Sequence, residues 1–254
     1  FSNVKCLRNC KYIFVDEAQD ISDIQYNTII KISEICEANV IMIGDPDQNI
    51  YQFQGGSDKY LIEHSDKCVN LIKNYRSTKN IVNFINQFRP WKKTTPPMIS
   101  MRNTYGNKPT VYCNNISILL ESLVSEIKNS NIPYEEIAII GPVKKGNHNN
   151  YGNHKNFGLQ IVAEYFEKNN IDYVTHYNFS DNDNTNRREK NIEQGHINLY
   201  TIHGSKGLEF KKVLLLNFHL NTMGRKPTQK KYNEYKYLWY VGLSRAIDEM
   251  SIFI

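Results

Sequence analysis

The chain has 254 residues, enough for one large or two modest domains with buried cores. At 40% hydrophobic and 22% charged residues, its composition is that of a globular chain and excludes a disordered or collagen-like one. A net charge of +5 permits a nucleic-acid partner without requiring one, and no apolar run approaches the roughly 18 residues of a membrane-spanning helix.

Along the chain, short apolar runs alternate with helical patterns, which predicts an α/β fold with parallel sheet and flanking helices. Strands are expected at 11–16, 39–44, 68–72, 109–113, 136–140, 171–175, 197–202, 212–218 and 250–254. Helices are expected at 22–37, 78–89, 116–129, 157–169 and 233–247. In 116–129, Ile116, Leu119, Leu120, Leu123, Val124 and Ile127 form one apolar face. The stretch 88–97 is rich in breakers, and the polar, Asn-rich stretches 144–156 and 178–190 read as exposed loops. Five cysteines in no metal-binding frame read as reduced thiols of an intracellular protein.

The first strand runs straight into acids, as "YIFVDEAQDIS". In open α/β sheets ligands sit beyond the carboxyl ends of strands, so Asp16 and Glu17 face such a position. Adjacent carboxylates there suit a magnesium nucleotide, one for the metal and one for an attacking water. Read alone, the same acids equally describe a solvated turn, with Ser22 or Asp20 capping the next helix. The second strand also ends in an acid, followed by "PDQNIYQFQGG". Gln48 is a neutral group able to bridge a phosphate or a water, while Tyr51 and Phe53 are aromatics on which bases could stack. A turn with buried aromatics is the alternative. Tyr75 and Arg76 precede a helix, offering a flat face and a bidentate phosphate donor. "YTIHGSKGLEF" forms a tight turn after a strand, expected to present backbone N–H groups and a positive charge to an anion. Arg245 falls near the end of the last expected helix.

Taken in order, these segments resemble the motifs of UvrD/Rep-type superfamily 1 DNA helicases. "VDEAQD" resembles motif II, "GDPDQNIYQFQGG" motif III, "NYRST" motif IV, "TIHGSKGLEF" motif V and "YVGLSRA" motif VI. The resemblance implies RecA-like domains: residues 1–70 as the C-terminal part of a first, incomplete one, and 71–254 as the second. It further implies an ATP-dependent helicase or translocase of 3′→5′ polarity on single-stranded DNA. By the same resemblance, Asp16 would hold Mg²⁺, Glu17 would act as catalytic base, and Gln48 would sense the γ-phosphate. Arg76 and Arg245 would stabilise the transferring phosphate, Tyr75 would lie against adenine, and Gly207 and Glu209 belong to the nucleotide site, Glu209 on the ribose. Tyr51, Phe53 and His203 would contact DNA.

Departures from the family pattern also stand out. Gln54 and Gly56 occupy positions where the family more often has Arg and Ala, and Gly242 and Ser244 replace the commoner Ala and Thr. No G-x-x-x-x-G-K-[ST] phosphate loop occurs. The expectation is that the chain acts when joined to an upstream half carrying that loop, and alone hydrolyses ATP negligibly. The alternative is a helicase-like DNA-binding or regulatory module without ATPase activity; retention of Asp16, Glu17, Gln48, Arg76 and Arg245 argues against it.

Overall fold

Strand β1 (Tyr12–Val15) pairs in parallel with β2 (Asn39–Met42), Tyr12 opposite Asn39 and Val15 opposite Met42. A parallel pair needs a crossover, and helix α1 (Asp23–Cys36) supplies it. Ser22 starts α1 through a capping box with Gln25, which resolves the choice between Ser22 and Asp20. Strand side chains alternate in direction. Ile13, Val15, Val40 and Met42 therefore pack with Ala18, Ile21, Tyr26, Ile29 and Tyr60 into one core. The opposite face leaves Tyr12, Phe14 and Ile41 exposed. Helix α2 (Lys59–Glu63) is pinned by Tyr60, which stacks on Tyr26 at 3.9 Å and donates to Asp23 Oδ1 at 2.6 Å. This is a computed structural model, and it describes residues 10–63, 67–91, 95–142, 144, 158–177, 195–218 and 228–254. The polar stretch 178–190 and nearly all of 144–156 lie outside the described residues.

The chain divides into two compact units, Phe1–Asn70 and Leu71–Ile254. The second is built on a six-stranded parallel sheet of order β5-β10-β9-β6-β8-β7. Its strands are β5 (Thr110–Tyr112), β6 (Ile137–Gly141), β7 (Tyr173–Thr175), β8 (Ile197–Thr201), β9 (Phe210–Leu216) and β10 (Ala246–Phe253). Ile137 to Ile140 and Val213 to Leu216 are buried throughout, as expected where a parallel sheet is covered on both faces. The apolar face foreseen in 116–129 is that of α4 (Ile116–Lys128), whose Leu119, Leu123 and Ile127 pack on the sheet beside α5 (Leu159–Lys168). Short strands β3 (Lys73–Asn74) and β4 (Ile99–Ser100) form a separate pair, followed in space by α3 (Lys79–Ile85).

Two expected elements are corrected. The apolar run 68–72 is not a strand: Val69 is 82% and Leu71 89% exposed. Pairing starts later because Ile99 is in register with Lys73, its N–H donating to Ile72 O at 2.8 Å. Helix α6 (Gln229–Leu243) ends four residues before the expected 247, and Ala246 already belongs to β10 opposite Phe210. Neither a left-handed glycine nor a proline follows Leu243 to mark that stop. It is imposed by the sheet, since Phe210 N–H donates to Arg245 O at 3.0 Å.

Candidate active site

The ends of β1 and β2 are stitched together by backbone bonds, Ile43 N to Val15 O at 2.8 Å and Ala18 N to Ile43 O at 2.9 Å. The chain between them bulges outward, and Asp16 and Glu17 project there exposed. Glu17 takes a left-handed backbone, φ 50° and ψ 40°, which costs an L-residue about 1 kcal/mol or more. Asp16 Oδ1 accepts the Glu17 N–H at 2.9 Å, steadying that conformation.

Behind the two acids lies a residue whose role the sequence reading missed. Gln19 is fully buried. Its Nε2 donates to Glu17 Oε2 at 2.5 Å, and its Oε1 accepts from Asp45 N at 3.1 Å. Asp45 in turn accepts from Asp47 N at 3.0 Å through Oδ1 and from Gln48 Nε2 at 2.8 Å through Oδ2. A chain of hydrogen bonds thus joins Glu17 to Gln48 through Gln19 and Asp45. Gly44 makes room for it, because a Cβ there would sit 2.2 Å from Gln19 Oε1. The signal available in sequence was a Gln two residues after an acid, too common to read.

Tyr51 and Phe53 form an aromatic pair, centroids 6.1 Å apart and tilted by 44°. Phe53 is 68% exposed, so the alternative of a turn built on buried aromatics does not describe it. Tyr51 also lines a cavity of about 380 Å³ with Asp20, Ser22, Gln25 and Gln54. Gly56 has a packing reason: a Cβ there would meet Asp20 O at 3.0 Å and Tyr51 O at 3.1 Å.

In the second unit, the segments around 76, 209 and 245 converge. Asn74 Oδ1 accepts the N–H groups of Arg76 and Ser77 at 3.0 and 2.9 Å, setting the turn from which the Arg76 side chain leaves. Arg76 Nε lies 2.5 Å from Glu209 Oε2, and its Nη1 is 3.4 Å from Ser244 O. Arg245 is buried, only 3% exposed. It donates from Nε to Val241 O at 3.0 Å, from Nη1 to Leu208 O at 3.1 Å and from Nη2 to Ser244 Oγ at 2.7 Å. Two guanidinium groups far apart in sequence therefore meet at Ser244, with one carboxylate beside them. Tyr75 stands next to this cluster, 71% exposed.

The turn after β8 differs from expectation. Its N–H groups are largely spent within the turn: Gly204 N on Thr201 Oγ1, Ser205 N on Thr201 O, and Leu208 N on Ser205 O. Ser205 is buried and its hydroxyl donates to Ile202 O at 2.8 Å. It folds as a closed, helix-like turn and does not present those groups as an anion nest. His203 is half-buried in it. Gly207 is exposed at φ 80°, where a glycine is favoured by conformation and not by packing, since an added Cβ would meet nothing.

Among the described residues no group of three or more His, Cys, Asp or Glu could hold a metal by itself. Magnesium does not need one, because it keeps waters and nucleotide oxygens and takes one or two carboxylates from the protein. The hard, exposed oxygens of Asp16 and Glu17 fit that requirement.

Comparison with known proteins bears on both units. Residues 4–70 match the UvrD/REP helicase N-terminal domain, and residues 160–254 match the UvrD-like helicase C-terminal domain. A protein of Acanthamoeba polyphaga mimivirus named as an ATP-dependent DNA helicase is 34% identical over 245 residues, which is 95% of this chain and 34% of that protein. The ATP-dependent DNA helicase PcrA of Staphylococcus epidermidis is 30% identical over 174 residues, 65% of this chain and 22% of that one. The DNA helicase II of Haemophilus influenzae is 40% identical over 81 residues, 30% of this chain and 11% of that one. The chain thus spans about a third of the mimivirus relative's length and less of the others.

Proposed function

The chain belongs to the UvrD/Rep helicase family, and from that premise we propose that it forms part of an ATP-dependent helicase or translocase moving 3′→5′ on single-stranded DNA. The observation that carries this reading is the meeting of Arg76 and Arg245 at Ser244. Arg76, its side chain 40% exposed, is the cation open to a polyanion, with Arg245 buried beside it on Val241 O, Leu208 O and Ser244 Oγ; arginines placed on a transferring phosphoryl group contribute on the order of 10³ or more in rate. Glu209 tempers their mutual repulsion until a nucleotide arrives.

In this reading Asp16 holds Mg²⁺, which would neutralise phosphate charge when bound. Glu17 accepts the proton of the attacking water at its carboxylate. Its Oε2 is fixed by Gln19, so the base is oriented before substrate binds. Gln48 contacts the γ-phosphate, and the bonds through Asp45 and Gln19 tie its position to that of Glu17. Tyr75 and Glu209 take the adenine and the ribose, with Gly207 allowing the turn that carries Glu209. Tyr51, Phe53 and His203 contact DNA, where stacking contributes roughly 1–3 kcal/mol per base whatever its sequence.

The remaining part of the site, a phosphate loop, belongs to an upstream half of the same protein. The exposed face of Tyr12, Phe14 and Ile41 supports this, since parallel sheets are normally covered on both sides. The test is ATP hydrolysis with and without single-stranded DNA, by the full-length protein and by residues 1–254 alone. DNA-stimulated turnover is expected only from the full-length protein and is expected to be lost in Glu17→Gln. No turnover from the full-length protein would favour a DNA-binding module without ATPase activity.

A further inference from the structure

Arg102 follows strand β4 and lies in none of the segments that resemble family motifs. Its guanidinium nevertheless reaches the candidate site from behind. Nη1 lies 2.6 Å from Asp248 Oδ1 and 3.1 Å from the carbonyl oxygen of Arg76, with Ile247 O at 3.4 Å. Asp248 is in β10, three residues past Arg245. One side chain thus joins the backbone of the first candidate arginine to the strand that follows the second.

The neighbouring bonds show what Arg102 adds. Ser77 Oγ donates to Ala246 O at 2.6 Å, Ser100 Oγ donates to Ser77 O at 2.8 Å, and Thr78 N donates to Ile247 O at 3.1 Å. These neutral bonds hold residues 77 and 78 to β10. Arg102 extends the attachment to the carbonyl of Arg76, and it does so with a charge-assisted bond, the stronger kind. The Arg102 and Asp248 side chains are 30% and 32% exposed, so water screens the pair only in part.

We infer that Arg102 is a positioning residue for Arg76: paired with Asp248, it clamps the Arg76 carbonyl to the start of β10. The separation of the Arg76 and Arg245 guanidinium groups at Ser244 is set by that clamp. The inference rests on the phosphoryl-transfer role proposed for Arg76. A displacement of about 1 Å in a catalytic group lowers rate by up to roughly 10²-fold, so the effect belongs in kcat.

The experiment is steady-state ATP hydrolysis, with saturating single-stranded DNA, by the full-length protein that carries this chain. Arg102→Met and Asp248→Asn are each expected to lower kcat about tenfold and to change KM for ATP less than about twofold. The charge-swapped pair Arg102→Asp with Asp248→Arg is expected to recover part of the loss. The decisive variant adds Arg102→Met to Arg76→Ala, where it is expected to have no further effect on kcat, because the group it positions is gone. If Arg76→Ala lowers kcat but Arg102→Met and Asp248→Asn do not, the clamp is refuted and the role of Arg76 stands. If the losses from Arg76→Ala and Arg102→Met multiply, the clamp is likewise refuted. If Arg76→Ala leaves kcat unchanged, the role of Arg76 itself fails. Should Arg102→Met not fold, Asp248→Asn in the same two backgrounds gives the same comparison.

Discussion

Arg76 Nε and Glu209 Oε2 lie 2.5 Å apart, joining two residues whose expected partners are the phosphate and the ribose of one nucleotide. Each therefore holds the other in place. The pair is open to water, its side chains 40% and 52% exposed, and exposed pairs of this kind contribute at most about 1 kcal/mol to stability. Glu209→Gln is accordingly expected to shift the urea midpoint of the chain very little. It is expected to act on nucleotide binding instead, raising KM for ATP in the full-length protein more than it lowers kcat. A large loss of stability in Glu209→Gln would contradict this.

The bonds from Glu17 through Gln19 and Asp45 to Gln48 predict a site that fails without losing a contacting group. Gly44→Ala places a Cβ 2.2 Å from Gln19 Oε1 and 3.1 Å from Ala18 N, so the amide must leave its place. Displacing it strips Glu17 and the Asp45 N–H of a buried partner, a loss of about 1–3 kcal/mol in stability. ATP hydrolysis in the full-length protein is expected to fall while binding of a non-hydrolysable nucleotide persists. Parallel measurement of turnover and nucleotide affinity checks the split.

In the second unit, Lys212 is buried in β9 with Nζ 2.7 Å from Glu126 Oε2 and 3.1 Å from Glu249 Oε2. Burial pushes the Glu126 carboxyl up, but Lys212 and the Tyr112 hydroxyl outweigh it and hold it below the ordinary glutamate range. A carboxylate depressed on folding gives stability that is present above its unfolded pKa and lost as pH falls through the folded one. Acid below the ordinary glutamate range is therefore expected to weaken this unit. Lys212→Met removes the cation and leaves burial dominant, so Glu126 is expected to titrate above that range. The variant should lose roughly 3 kcal/mol near neutral pH and regain part of it on mild acidification. Denaturant unfolding across pH reads both slopes.

Gln54 lies beside the exposed Phe53 and on the cavity lined by Tyr51. Gln54→Arg is expected to tighten single-stranded DNA binding at low salt and to steepen the salt dependence by one contact, about 0.7 in log–log slope. Phe53→Ala is expected to weaken binding by about 1–3 kcal/mol with that slope unchanged. Titrations at several salt concentrations separate the two effects.

Much of the architecture was legible because it follows from local pattern. Strands ending in acids, the spaced leucines of 116–129 and the β-branched runs of the sheet each state their own structure. What was not legible depends on partners distant in sequence. Nothing near Lys73 announces that its two-residue strand waits for Ile99, and nothing in 233–247 announces a helix stop set by Phe210. The candidate arginines were visible as residue types. Their meeting at Ser244 was not, since it is made by a turn, a helix end and a strand start arriving together. Gln19 was legible as polar but not as a buried link between Glu17 and Asp45, because only the fold turns it inward.

The left-handed backbone at Glu17 has an implication for how this chain would respond to selection. Asn occupies that conformation far more readily than Glu, but its shorter side chain gives up the bond that Glu17 Oε2 accepts from the buried Gln19. A buried donor left without its partner costs about 1–3 kcal/mol, more than the backbone regains. The chain therefore keeps the acid for two reasons at once, and Glu17→Asn is expected to lower melting temperature together with hydrolysis.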